Sequence, residues 1–198
     1  MHILPHWTWP ERAGQVTPVH VFTSGDEAEL FLNGKSLGRK QKGEYQYRLR
    51  WDEVVYEPGK LKVVAYKSGK KWATTETKTA GQPARLKLEA DRKEIRADGS
   101  DLSFIAVTIT DKSERLAPRA DNRIRFEIEG PGEIVATDNG DPTSFESFQS
   151  SERKAFNGLC LVIVRAQAGQ SGKIKLTAKA EGLKTATVTL KAMPRGTK

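Results

Sequence analysis

The sequence has few of the residues on which most enzyme active sites depend. Its 198 residues include one cysteine, Cys160, and three histidines, all of them within the first 20 positions. A single cysteine excludes an internal disulfide framework and any zinc site built from cysteines. Three histidines leave little for general acid–base catalysis. We therefore expect neither a self-contained enzyme nor a bound cofactor.

Long hydrophobic segments are also missing. No run of about 18 apolar residues occurs, so we expect no transmembrane helix and no membrane partner. Residues 1–7 lack the basic segment and the apolar stretch of a secretory signal peptide, so we expect none at this start. Apolar residues still make up 37% of the chain, which is enough to form a folded core.

The excess of basic residues is spread along the chain. Lys and Arg number 33 against 25 Asp and Glu, a net charge of +8. The segments on either side of Gln82 each carry a net charge of +4. Nucleic-acid-binding proteins concentrate their basic residues in a patch or arm. The densest local run, residues 35–42, has no interleaved aromatic residue, so we expect a solvated surface there and no nucleic-acid partner.

Short stretches of alternating apolar and polar residues, separated by turn residues, dominate the sequence. This pattern is typical of β-strands, and the periodicity of a helix is nearly absent. Asn33 and Gly34 predict a tight hairpin turn, since both residues tolerate a positive φ. The predicted strands lie within residues 2–9, 19–23, 27–32, 36–38, 45–51, 61–66, 72–77, 85–90, 103–109, 124–128, 159–164, 174–180 and 186–190.

Gly81, Gln82 and Pro83 separate two such series of strands. We therefore predict an all-β fold that consists of two tandem immunoglobulin-like antiparallel β-sandwiches. The predicted domains are residues 1–80 and residues 84–193, with a short linker at 81–83 and a flexible tail at 194–198.

Two pairs of acidic residues have the residue type that a glycosidase needs. Glu27 and Glu29 lie two positions apart on one strand, as do Glu127 and Glu129 on another. A catalytic acid needs a pKa raised by burial or by a neighbouring charge, and the outward face of a strand supplies little burial. We interpret both pairs as surface residues and assign no catalytic residue.

Asp138, Asn139 and Asp141 form a weak candidate for a metal site. Their segment lacks the further spaced acids and the terminal glutamate of a helix–loop–helix calcium site. Aspartate and asparagine next to glycine and proline also form turns through their own backbone, and we favour a turn. Cys160 lies inside the apolar run 159–164, which predicts a thiol in the core rather than a nucleophile.

Three of the four tryptophans are candidates for a contact surface. Trp7 and Trp9 lie two positions apart in a segment predicted to be extended, so we expect them to share one apolar surface, and Trp72 is the third candidate. Such a surface could meet a sugar ring or another domain. We favour an interdomain contact, because tryptophan is enriched at interfaces. Trp51 ends an alternating strand and is predicted to be in the core.

Five segments resemble a known enzyme family. They are HILPHWTW at 2–9, EAELFLNGKSLG at 27–38, YEPGKL at 56–61, ATDNGDP at 136–142 and RKAFNGL at 153–159. Together they resemble the region that follows the catalytic barrel in bacterial glycoside hydrolase family 2 β-galactosidases, including the immunoglobulin-like domain at its C-terminal end. The resemblance covers nearly the whole chain. One small departure is Thr8, where such proteins are expected to have asparagine.

The resemblance implies a non-catalytic C-terminal fragment of a retaining hydrolase that acts on terminal β-galactosides in carbohydrate catabolism. The barrel, with its acid/base and nucleophilic glutamates, would precede the matching region, so no catalytic residue is carried over. The implied partners are the N-terminal domains of the longer enzyme, and the implied location is the periplasm or the exterior of a bacterium. Two alternatives remain, a carbohydrate-binding module and a cell-surface spacer or adhesion module.

Overall fold

The structure, a computed structural model, describes residues 1–194. The chain divides into two compact units, Met1–Ala80 and Gly81–Lys198. Within residues 1–194 the secondary structure is β-strand, apart from one 3₁₀ turn at Pro10–Arg12. The predicted all-β fold class is therefore confirmed. Of the tail predicted at 194–198, residues 195–198 lie outside the described residues.

The first unit is built from seven strands in two sheets. The strands are β1 His2–Leu4, β2 Val19–Phe22, β3 Glu27–Leu32, β4 Lys35–Gln41, β5 Arg48–Trp51, β6 Lys60–Lys67 and β7 Lys70–Lys78. One sheet has the order β1-β2-β5, the other has the order β4-β3-β6-β7, and all neighbours are antiparallel. Asn33 and Gly34, with φ of 50° and 88°, join β3 to β4 in the predicted hairpin.

The two sheets of the first unit enclose one core. Every second residue of β2, β3 and β5 is buried, as expected for strands with one face inward. Trp51 is 4% exposed, which confirms the prediction that it is a core residue. Both sheets contribute to the cluster, which contains Ile3, Val19, Val21, Ala28, Leu30, Leu49, Leu61 and Val63 among others.

The second unit has nine strands within its described residues, again in two sheets. They are β8 Arg85–Ala90, β9 Glu94–Arg96, β10 Leu102–Thr110, β11 Arg123–Glu129, β12 Gly132–Asp138, β13 Glu152–Lys154, β14 Leu159–Ala166, β15 Gly172–Lys179 and β16 Ala186–Met193. The sheet orders are β12-β14-β10-β8 and β13-β11-β15-β16-β9. β14 lies inside its sheet, as its apolar sequence predicts, and Cys160 is buried in the core.

The structure corrects the predicted strands in three respects. β9 pairs with β16 in parallel, so the second sandwich is not entirely antiparallel, because the chain crosses from one sheet to the other after β8. The strands β9, β12 and β13 were not predicted. Residues 45–47 do not form the predicted strand, because Gln46 closes a turn by donating its backbone N–H to the Gly43 carbonyl.

No helix among residues 1–194 combines the length and the apolar character that a membrane crossing requires.

Candidate functional site

Trp7 is a core residue and not part of a contact surface. Its side chain is fully buried, its Nε1 donates to the carbonyl oxygen of Glu57 at 2.8 Å, and its ring lies 4.8 Å from that of Tyr56. The strand β1 ends at Leu4, so the spacing of two no longer places Trp7 and Trp9 on one face. The expectation that these two tryptophans share one apolar contact surface is therefore wrong.

Trp9 is half-buried and packs against its own segment. Its ring stacks on the His6 ring at 4.2 Å, and its Nε1 donates to the His6 carbonyl oxygen at 2.8 Å. One face of the indole is thus already covered. Next to it, the hydroxyl of Thr8 accepts the backbone N–H of Ala80 at 3.0 Å. The side chain that departs from the expected asparagine therefore still makes a polar contact.

Trp72 is the one tryptophan candidate with a largely exposed side chain. It lies on the edge strand β7 and is 54% exposed. Its Nε1 donates to the hydroxyl of Ser24 at 3.1 Å, and the Lys67 ammonium lies 5.0 Å from the ring centroid. The ring is therefore held in place while part of it faces solvent, which is the arrangement that a sugar face could use.

The two acidic pairs lie in cross-strand contacts on sheet surfaces. Glu127 accepts from Lys179 at 2.7 Å and Glu129 accepts from Lys175 at 3.0 Å, both across the β11-β15 pair. On the other unit, Glu27 pairs with Arg39, and Glu29 accepts from the Ser36 hydroxyl at 2.6 Å. Such contacts are the usual way in which β-sheets accommodate charge on an exposed face.

The weak metal candidate forms a turn. One carboxylate oxygen of Asp138 accepts the backbone N–H groups of Asn139 and Gly140, and the amide oxygen of Asn139 accepts that of Asp141. Hydrogen bonds from the backbone and the hydroxyl of Thr143 lower the pKa of Asp141. These oxygens are already satisfied by the backbone of their own turn. Within residues 1–194, no group of three His, Cys, Asp or Glu side chains is placed to hold a metal ion.

Cys160 is not a candidate nucleophile. Burial raises the pKa of its thiol to about 12, although the charge of Arg153 partly opposes that shift. A thiol with this pKa stays protonated at neutral pH, and only the thiolate is nucleophilic.

Arg153 was missed by the sequence reasoning, although it lies in one of the segments that carry the resemblance. Its side chain is 1% exposed, and its guanidinium donates to the carbonyl oxygens of Thr137, Glu146 and Ser147 at 2.6, 3.2 and 2.7 Å. It also donates to the Thr137 hydroxyl. A buried guanidinium with these acceptors fixes the loop between β12 and β13.

The loop fixed by Arg153 presents two exposed aromatic rings. Phe145 is fully exposed and Phe148 is 61% exposed. Large apolar side chains at a protein surface are individually common, so neither ring indicates a partner by itself. After β13, Asn157 and Gly158 have φ of 53° and 77° and form a tight turn. A Cβ on Gly158 would lie 2.3 Å from the Ala117 carbonyl oxygen.

One spacious groove lies in the first unit, between the edge strands β4 and β5. Its volume is about 800 Å³, and its lining includes Leu37, Lys40, Trp51, Val55 and Glu57. This volume is in the range of small-molecule sites. The groove is open, and its lining mixes aliphatic side chains with charges of both signs, so it does not select a ligand by itself.

Residues 86–189 match the family described as glycoside hydrolase family 2 C-terminal domain 5. Residues 14–73 match a domain of unknown function, DUF4982. Among curated proteins, a β-galactosidase of Bacteroides ovatus called BoGH2A is 43% identical over 192 residues, which are 97% of this chain and 22% of that protein. A β-glucuronidase of Formosa agariphila is 32% identical over 198 residues, covering 98% of this chain and 20% of that protein.

Solved structures of glycosidases are also similar to this chain. A β-glycosidase from Bacteroides vulgatus has a TM-score of 0.90 and 33% identity, covering 96% of this chain and 24% of that one. A glycosyl hydrolase family 2 member from Bacteroides cellulosilyticus has a TM-score of 0.90 and 36% identity, covering 95% of this chain and 24% of that one. The chain spans about a fifth of the length of the curated relatives it matches.

Proposed function

Because the chain belongs to glycoside hydrolase family 2, we propose that its two units are non-catalytic β-sandwiches of the C-terminal region of a longer hydrolase. There they would support the catalytic barrel, shape access to it or mediate assembly. The observation that carries this proposal is the coverage, since nearly the whole chain aligns with only about a fifth of its curated relatives. The partners in this proposal are the N-terminal domains of the longer enzyme.

The side chains of the described residues support a non-catalytic role. A glycosidase of the usual kind needs two carboxyl groups about 5–9.5 Å apart across the scissile bond, one of them with a raised pKa. The acids considered above are on sheet surfaces and contact lysine, arginine or serine side chains. That setting favours a stable surface over proton transfer to a sugar.

We propose terminal β-galactosides as the substrates of the longer protein, cleaved with retention of configuration. The support is the 43% identity to a protein named as a β-galactosidase. Other relatives are named as β-glucuronidases, so β-glucuronides are the competing substrate class. Location in the periplasm or outside the cell stays a prediction.

The test is an activity assay of the purified chain and of the longer protein on chromogenic β-galactosides and β-glucuronides. We expect no turnover by the 198-residue chain above buffer, and turnover of the β-galactoside by the longer protein. Variants in which Glu27 and Glu29, or Glu127 and Glu129, are replaced by glutamine serve as controls for contaminating enzyme. Turnover by the chain that disappears in one of these variants would overturn the non-catalytic assignment.

Carbohydrate binding is a second candidate function, favoured by the exposed and anchored ring of Trp72. Titration with neutral galacto-oligosaccharides, followed by calorimetry, tests it on the chain as it stands. We expect any binding to be lost in Trp72→Ala, since that change removes the ring, and kept in Trp9→Ala. Binding that survives Trp72→Ala counts against this site. The spacer or adhesion alternative has no supporting feature among residues 1–194.

A further inference from the structure

The outward face of the three-stranded sheet carries an unusual set of side chains. Alternation along β1, β2 and β5 turns Ile3, Val19, Val21, Leu49 and Trp51 into the core and the intervening residues outward. The outward residues are His2, Leu4, His20, Phe22, Arg48 and Arg50, which we call the basic sheet face. They form two rows across the sheet, His2–Phe22–Arg48 and Leu4–His20–Arg50.

The strands of the other three sheets carry acidic as well as basic side chains, whereas the basic sheet face has no acid. Each of the other sheets has ion pairs between neighbouring strands or along one strand: Lys60–Glu76, Lys87–Glu89, Glu133–Arg165, Glu127–Lys179 and Glu129–Lys175. The basic sheet face has two arginines, two histidines and no acid of its own. Its one ion pair among residues 1–194 joins Arg50 to Asp52, beyond the end of β5, at 2.8 Å.

The excess positive charge contributes to a shift in the pKa of His20, which lies on the same face. The pKa of His20 is lowered, first by partial burial and then by the charges of Arg48 and Arg50, against the opposing charge of Asp52. Arg48 is exposed and has no ion-pair partner within the described part of the chain. Two residues along a strand place the guanidinium-bearing positions 48 and 50 roughly 7 Å apart on the same face.

Aromatic rings accompany these charges. Phe22 is half-buried between His2 and Arg48 in its row. Tyr45 and Tyr47 precede β5 and are 86% and 79% exposed. Tyr45 lies in the turn 43–46, in which the Gln46 side-chain oxygen accepts the Gly43 N–H at 3.1 Å, and Tyr47 directly precedes the first residue of β5.

We propose that the basic sheet face, together with Tyr45 and Tyr47, binds an anionic glycan whose sugar rings carry carboxylate or sulfate groups. Arginine pairs with carboxylate and sulfate oxygens through two parallel hydrogen bonds, and exposed aromatic rings pack on the apolar faces of sugars. The membership in a glycoside hydrolase family favours a glycan over an acidic protein segment as the occupant. The site goes beyond the proposed function, because it needs no catalytic barrel.

The test is a titration of the chain with an oligogalacturonate, a sulfated galactan oligomer, a neutral galactan oligomer of equal length and poly-glutamate. We expect both anionic glycans to bind and the neutral one not to bind, with affinity that falls as salt is raised. The two anionic arms show whether carboxylate or sulfate is the preferred group. The double variant Arg48→Gln with Arg50→Gln should weaken glycan binding by about tenfold or more, since charge-assisted hydrogen bonds are lost.

A matched control separates this site from general attraction to a basic protein. Lys70 and Lys71, on β7, are exposed, and changing both to glutamine removes the same number of positive charges from a different sheet. We expect that variant to bind the anionic glycans with less than about a twofold loss, because exposed distant charges are screened. Equal losses in the two double variants, or no binding of either anionic glycan, would overturn the proposal.

The tyrosines distinguish a glycan from an acidic protein. Tyr45→Ala with Tyr47→Ala should weaken binding of the anionic glycans several-fold and leave the weaker binding of poly-glutamate unchanged. If poly-glutamate binds as tightly as the glycans and the tyrosine variant binds all of them normally, the face recognises acidic protein and the proposal is wrong. Circular dichroism of each variant verifies the fold. The activity assay described above tests the proposed function separately, so either proposal can fail without the other.

Discussion

At the scale of single residues, Asp111 shows how one buried charge is accommodated. It is 2% exposed and accepts the backbone N–H groups of Gly81, Ser113 and Arg115 at 2.8, 2.8 and 3.0 Å. The Arg115 guanidinium donates to it at 2.7 Å. Burial alone would raise the pKa of Asp111, but these hydrogen bonds lower it from 3.8 to about 2. The charged form is therefore the one that fits the folded chain.

Replacing Asp111 by asparagine tests this account. The folded pKa lies below the unfolded one, so the ionised group stabilises the fold above about pH 4, and this contribution is lost as the pH falls towards 2. We expect Asp111→Asn to lower the free energy of unfolding by about 1–3 kcal/mol at pH 7 and by much less near pH 2.5. Urea unfolding at both pH values measures it. Glu114→Gln, at a 78% exposed side chain, is the control, and an effect of Asp111→Asn that is equal at both pH values would contradict the prediction.

The burial of a single side chain could be predicted from the sequence where the residue lies in a regular strand, and could not be predicted where it lies in an irregular segment. The burial of Trp51 follows from alternation within a strand and that of Cys160 from a continuous apolar run, and the sequence displays both patterns directly. Trp7 was misplaced because its segment leaves the strand at Leu4, so that spacing no longer indicates a face. Asp111 and Arg153 are buried charges whose partners are mostly backbone groups, and a backbone partner cannot be read from the sequence.

At the scale of elements, the loop between β12 and β13 depends on one side chain. Arg153 holds it through carbonyl oxygens of Thr137, Glu146 and Ser147. Removing the guanidinium leaves buried carbonyl groups without a donor, which costs more than the net worth of the bonds. The loop should then open more often under native conditions.

We expect Arg153→Met to destabilise the second unit by about 2–4 kcal/mol, and Arg153→Lys to have an intermediate effect, because lysine offers fewer donors in a less rigid geometry. Chymotrypsin should cleave after Phe145 or Phe148 at least several-fold faster in Arg153→Met than in the unchanged chain. Mass spectrometry of the fragments locates the cut. Arg123→Gln, which removes a 56% exposed partner of Glu146, is the control. Cleavage at equal rates in all these proteins would show that Arg153 does not hold the loop.

Most strands with a long alternating pattern were predicted, whereas the seven-residue β12 and two short strands were missed. β9 and β13 have three residues each, too few to show a period, and exist because a longer neighbour, β16 or β11, offers hydrogen bonds. Residues 45–47 have the composition of a strand, but a turn closed by Gln46 forms there instead. Local composition is outweighed in both cases by what the fold provides.

At the scale of the whole molecule, the distribution of charge depends on the fold. Along the sequence the net charge of +8 is spread evenly. The structure nevertheless brings residues from positions 2–4, 20–22 and 48–50 to one sheet, where the basic side chains share a face without acids. No local run of sequence contains this face, because each strand contributes only two outward residues to it. The sandwich class was predictable from the alternation, whereas the basic sheet face required the strand order.

The two units also have separate cores, which predicts separate folding. The cluster of the second unit draws only on residues between Leu86 and Ala192, and that of the first unit only on residues between Ile3 and Ala65. We therefore expect the segment Gly81–Lys198 to fold when expressed alone, with dispersed amide resonances that match those of the full chain for residues distant from Gly81. It should unfold in one cooperative transition, with the same midpoint whether it is followed by circular dichroism or by the amide resonances, as small single domains usually do. A segment with collapsed amide dispersion, or one that unfolds without a cooperative transition, would show that the second core does not suffice on its own.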